Sequence, residues 1–205
     1  GREGTGTLTV SAGGKVSNTS GQIGANAGGT GTVTVTGPGS TWTNSAELSV
    51  GNSGTGTLIV EDGGKVSNTI GYVGRNAGST GTVTVTGAGS TWTNNGTLNV
   101  GHSGNGTLTI ADGGTVTSAG AGGPAGSIGV MAGSTGTVTV TGAGSTWTNI
   151  GSLGDGELYV GAAGTGTLTV ENGGRVTSTS GYLGFASGGS GTVTVTGTDS
   201  RWTVV

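Results

Sequence analysis

The sequence predicts an all-β chain wound as a parallel β-helix, a solenoid of about eight rungs with three short strands in each. Three observations predict it. One apolar phrase recurs along the whole chain, at Leu8/Val10, Val33/Val35, Leu58/Val60, Val83/Val85, Leu108/Ile110, Val138/Val140, Leu168/Val170 and Val193/Val195, in steps of 25 or 30 residues. Threonine alternates with these residues, as in Thr7-Leu8-Thr9-Val10, which is the period-two pattern of a strand, and nothing recurs at helical spacing. Glycine, 52 of 205 residues, stands at every corner between the short runs.

Each unit carries three strand-like runs in order. The first is the threonine phrase. The second follows a glycine turn, as "GGKVSN" (13–18) or "GSTWTN" (39–44), and the third follows as "QIG" (22–24) or "LSVG" (48–51). Three runs in about 25 residues fit one rung, with each strand pairing with its copy one winding further on. Composition alone, with 7% charged and 30% hydrophobic residues, resembles a disordered chain. The repeats override it, because stacked neighbours share a thin core of about four apolar side chains per rung, for example Leu58, Val60, Val66 and Val73.

Units alternate in kind. Val16, Val66, Val116 and Val176 mark one kind, and Trp42, Trp92, Trp147 and Trp202 stand at the matching place in the other. Both lie between polar neighbours (Lys15-Val16-Ser17, Thr41-Trp42-Thr43), so the four tryptophans are expected in the core. If they faced outward they would form a ladder suited to stacking on sugar rings. Two places after the Val or Trp stand Asn18, Asn44, Asn68, Asn94 and Asn149, with Ser118 and Ser178 in two other units, an expected corner ladder of structural hydrogen bonds. The two longer steps come from insertions at one corner, around 119–125 and 150–156, where loops leave a regular scaffold.

The net charge is −3, and the cations Arg2, Lys15, Lys65, Arg75, Arg175 and Arg201 are scattered singly, so nucleic acid is not an expected partner. No apolar run approaches the roughly 20 residues of a membrane-spanning helix, and no membrane contact is expected of this segment. The absence of cysteine excludes disulfides and thiolate metal sites.

The stretch "TGTVTVTGAGSTWTN" (80–94) followed by "GTLNVGHSGNGTLTIADGGTV" (96–116) resembles the repeat of bacterial type V secretion (autotransporter) passenger proteins, and the resemblance runs the length of the chain. It implies a right-handed β-helical stalk, exported and displayed at the bacterial cell surface or secreted. Residues 1–205 are then a single array within a longer passenger, since both ends fall inside the pattern without a polar capping unit.

Catalysis finds no support in the residues. Many β-helices cleave polysaccharides with clustered carboxylates. Here Asp62 and Asp112 share a corner but lie two rungs apart, roughly 9.6 Å, too far to share a calcium ion. Asp155 and Glu157 are the best local pair and read as a solvated loop, and His102 reads as a surface histidine. No cofactor, no metal and no catalytic residue are expected. The threonines are the candidate binding face: Thr7, Thr9, Thr32, Thr34, Thr57, Thr82, Thr84, Thr107, Thr109, Thr137, Thr139, Thr167, Thr169, Thr192 and Thr194 point outward if the apolar residues point in, and only Ile59 breaks their two ladders. The structural reading is that threonine suits an exposed strand and stacked copies hydrogen-bond to one another. The functional reading is a flat, uncharged wall for lateral association.

The expected function is thus a non-enzymatic extracellular stalk and adhesive segment, its partners being further copies of itself or host and cell-surface molecules. The alternatives are a polysaccharide-binding or polysaccharide-processing β-helix and, because Thr-x-Thr ladders also resemble insect antifreeze solenoids, an ice-binding one.

Overall fold

The computed structural model describes residues 1–120, 122–151 and 155–205; residue 121 and residues 152–154, inside the two insertions, lie outside them. The chain is a parallel β-solenoid. Two eight-stranded sheets and one seven-stranded sheet run its length, and the described residues contain no helix. In the third rung, Thr55–Glu61 joins the first sheet, Lys65–Asn68 the second and Gly71–Val73 the third. Every strand pairs with its counterpart one winding away, so Leu58 aligns with Val83 and Val83 with Leu108.

Alternation sets the burial. In Thr80–Thr86 the residues Gly81, Val83 and Val85 are buried while Thr82, Thr84 and Thr86 look outward. The four expected core side chains of the third rung, Leu58, Val60, Val66 and Val73, are all buried. The corner between first and second sheets requires a left-handed backbone. Asp62, Asp112 and Asn172 take φ near 50° there, a conformation that Asp and Asn tolerate better than other side chains. Asp62 and Asp112 are therefore turn residues, and each accepts a hydrogen bond from a threonine one rung away, Thr36 (3.3 Å) and Thr86 (3.1 Å). A serine closes the same corner: Ser40, Ser90 and Ser145, all buried, and half-buried Ser200 each accept from the backbone N–H of a glycine in the neighbouring rung.

The tryptophans lie inside. Trp42, Trp92 and Trp147 are buried and Trp202, in the last rung, is half-buried, so the outward sugar-stacking ladder does not exist. Their alternation has a steric cause. A Cβ on Gly71 would sit 2.3 Å from Asn94 Oδ1 and 3.1 Å from Trp92 Cζ2; Gly21, Gly126 and Gly181 are likewise pressed by Trp42, Trp147 and Trp202. A rung with Trp and Leu thus packs on a rung with Val and Gly, large against small, which keeps the interior close-packed.

The asparagine column satisfies the indoles. Trp92 Nε1 donates to Asn68 Oδ1 (2.7 Å), and Asn68 Nδ2 donates to Asn94 Oδ1 (2.7 Å). Trp42 donates to Asn18 in the same way (2.7 Å), and Asn18 donates to Asn44. Where serine replaces asparagine the chain of bonds persists: Trp147 donates to Ser118 Oγ (2.8 Å), Ser118 donates to Asn149 Oδ1 (3.2 Å), and Trp202 donates to Ser178 Oγ (2.9 Å). Both insertions leave the corner between second and third sheets in adjacent rungs, and Asp155 Oδ2 joins them by accepting from Gly122 N (3.1 Å).

Candidate functional site

Two surfaces stand out. On the first sheet the threonine ladders are in register: Thr82 aligns with Thr57 and Thr107, Thr107 with Thr137, Thr137 with Thr167, and Thr167 with Thr192. The second column runs from Thr9 and Thr34 through Ile59 to Thr84, Thr109, Thr139, Thr169 and Thr194. All of these threonines are exposed or half-exposed, and Ile59 is the sole break. A third column, Thr5, Thr30, Thr55, Thr80, Asn105, Thr135, Thr165 and Ser190, extends the wall.

The expected bonding between stacked threonines is corrected by the structure. None of the ladder hydroxyls makes a side-chain hydrogen bond among the described residues. Strands about 4.8 Å apart hold equivalent hydroxyls well beyond the ~2.8 Å of an O–H···O bond. The wall therefore presents free hydroxyls and methyls to solvent, without charge in these three columns.

The third sheet presents a second surface. Its outward column reads Gln22, Ser49, Tyr72, Asn99, Ser127, Tyr159 and Tyr182 in register. Along its middle runs an open groove of about 430 Å³. Asn99 and Ser127 form the floor, Tyr72 stands at one end, Tyr159 and Phe185 stand at the other, and Pro124 from the first insertion contributes to one wall. The end groups are held by their neighbours. Arg75 Cζ lies 4.6 Å from the Tyr72 ring centroid and pairs with Glu47, while His102 meets Tyr72 edge-on at 5.3 Å. Tyr159 stacks on Phe185 at 4.5 Å, meets Tyr182 edge-on at 5.0 Å, and donates its hydroxyl to Glu157 Oε2 (2.9 Å). Burial first, then that hydrogen bond and the carboxylate's charge, push the Tyr159 hydroxyl up to about 12.

The predicted acidic pair does not converge, since Asp155 binds the insertion backbone and Glu157 binds Tyr159. Half-exposed His102 contacts Arg75 O (3.3 Å) and Ser103 Oγ (3.1 Å). Among the described residues no group of three or more His, Cys, Asp or Glu is placed to hold a metal ion, and no helix is long and apolar enough to cross a membrane. Sequence reasoning missed the groove. The signal was present in the alignment of third strands, where two tyrosines stand three units apart with small polar residues between them.

Comparison of the chain with protein-family models, curated proteins and solved structures returned no match.

Proposed function

We propose that this chain is a non-enzymatic extracellular stalk segment of an autotransporter-like surface protein, a rod that associates side by side with like rods through its threonine wall. The observation that carries the reading is the registry of outward threonines, interrupted in the two ladders at Ile59 alone, whose hydroxyls have no partner among the described residues. The interior supports it. Trp, Asn and Ser side chains hydrogen-bond to one another between successive rungs, which ties the stack together along its length.

The wall is roughly 34 Å long over seven inter-strand steps and about 15–20 Å wide, or ~600 Å² per copy. That is below the ~800 Å² per partner of a standard stable interface. One segment therefore pairs weakly, and adhesion grows with the number of rungs placed in parallel. Host or cell-surface molecules with flat, uncharged surfaces fit the same wall.

The test replaces Thr82, Thr84, Thr107, Thr109, Thr137 and Thr139 together with Lys. Beads coated with the native chain clump, and beads coated with the variant do not, while the far-UV circular dichroism of the two is the same. Clumping that survives the substitutions removes this face from the account. Ice binding by the same wall is read separately as thermal hysteresis, expected to be zero.

A further inference from the structure

We propose that the groove on the third face binds a neutral oligosaccharide, with sugar rings against Tyr72 and Tyr159 and sugar hydroxyls on the Asn99 amide and the Ser127 hydroxyl. Of the buried polar side chains, Asn99 (8% exposed) and Ser127 (2% exposed) alone make no side-chain hydrogen bond among the described residues. Both line the groove. Their polar atoms are not sealed in the interior but open into the trough, so two neighbouring side chains without protein partners present donors and acceptors there to a ligand.

Further observations point to the class of ligand. The floor carries no charge, and its amide and hydroxyl each offer a donor and an acceptor, which matches sugar hydroxyls. The tyrosines lie three rungs apart, about 14 Å, a span of roughly two or three hexose units. Each is fixed by neighbours, Tyr72 by Arg75 and His102 and Tyr159 by Glu157, Tyr182 and Phe185, so little ordering is lost on binding. The repeat also departs from its period here: both insertions lie at the corner bordering this groove, and on solenoids such insertions gather on the binding face. The strands that carry Tyr72, Asn99, Ser127 and Tyr159 are each paired on both sides, so a peptide has no free edge to extend along them.

Affinity electrophoresis of the whole chain through gels containing laminarin, glycogen or hydroxyethylcellulose tests the site, followed by calorimetric titration with the hexaose of whichever polymer retards it. At least one polymer retards the chain. Tyr72→Ala and Tyr159→Ala each weaken binding about tenfold, and Asn99→Ala several-fold. Unchanged thermal midpoints for Tyr72→Ala and Asn99→Ala show that the fold is intact. The six-lysine wall variant binds as well as the native chain, which separates this site from the association face. Lack of retardation by all three polymers overturns the proposal, as does retardation that survives Tyr72→Ala and Asn99→Ala together. Binding of a decaproline peptide without any sugar response also overturns it and assigns the groove to proline-rich peptides.

Discussion

Replacing Asn68 is the sharpest probe of what holds the rungs together. Its carboxamide accepts from the buried Trp92 indole and donates to Asn94, both at 2.7 Å. Alanine removes both links, leaving the indole N–H without an acceptor and Asn94 Oδ1 without its donor. An orphaned buried group costs about 1–3 kcal/mol, so Asn68→Ala is expected to lose about 3 kcal/mol, with a small cavity adding to it. Serine is the internal control. Ser118 already performs both tasks one unit pair further on, accepting from Trp147 at 2.8 Å and donating to Asn149 at 3.2 Å. Asn68→Ser is therefore expected to lose about 1 kcal/mol or less. Thermal unfolding followed at 218 nm reads the difference, at about 2–4 °C per kcal/mol for a chain of this size. A loss within about 0.5 kcal/mol for both variants, or an equal large loss for both, would refute the claim that the column works by hydrogen bonding to the indoles.

Gly71→Ala is expected to cost about 1–3 kcal/mol through overpacking, because its Cβ would meet Asn94 Oδ1 at 2.3 Å and Leu98 Cδ1 at 2.8 Å. Gly4→Ala, where nothing lies within 4 Å, is expected to stay within about 0.5 kcal/mol, and denaturant midpoints compare the two. Tyr159, with its hydroxyl pushed up to about 12, keeps its proton above the ordinary tyrosine value of 10.0. Its protonated form is favoured by folding, so its contribution is complete below pH 10 and fades as pH rises through about 12. Absorbance at 295 nm is expected to lose its late-titrating step in Tyr159→Phe, and loss instead of an ordinary step near 10.0 would contradict the burial of this hydroxyl and its Glu157 contact.

The architecture was legible because its cause is local and repeated. Alternating threonine and valine, glycine corners and a fixed period leave each strand one mate, its own copy one winding on, and the burial of Val83 and Val85 against the exposure of Thr82 and Thr84 follows. The inward tryptophans were legible from their polar neighbours. The reason for their alternation was not, because the glycine that makes room for Trp92 is Gly71, far away in sequence and visible only once the rungs are stacked. The Trp-to-Asn bond was hidden for the same reason, since it crosses between rungs diagonally. The groove escaped notice because its members come from different units, and no single repeat contains the pattern Tyr72, Asn99, Ser127, Tyr159.

Everything rests on strands separated by a whole winding lying one strand spacing apart. The chain has no cysteine, so nitroxide labels on Thr9→Cys with Thr109→Cys, and on Thr9→Cys with Thr169→Cys, report distances without background. Four and six rungs place these pairs roughly 19 and 29 Å apart at about 4.8 Å per rung. Double electron–electron resonance is expected to give two narrow distributions whose means differ by about 10 Å. Broad distributions, or means that do not grow with the number of rungs, would contradict the stacked rod and with it both of its surfaces.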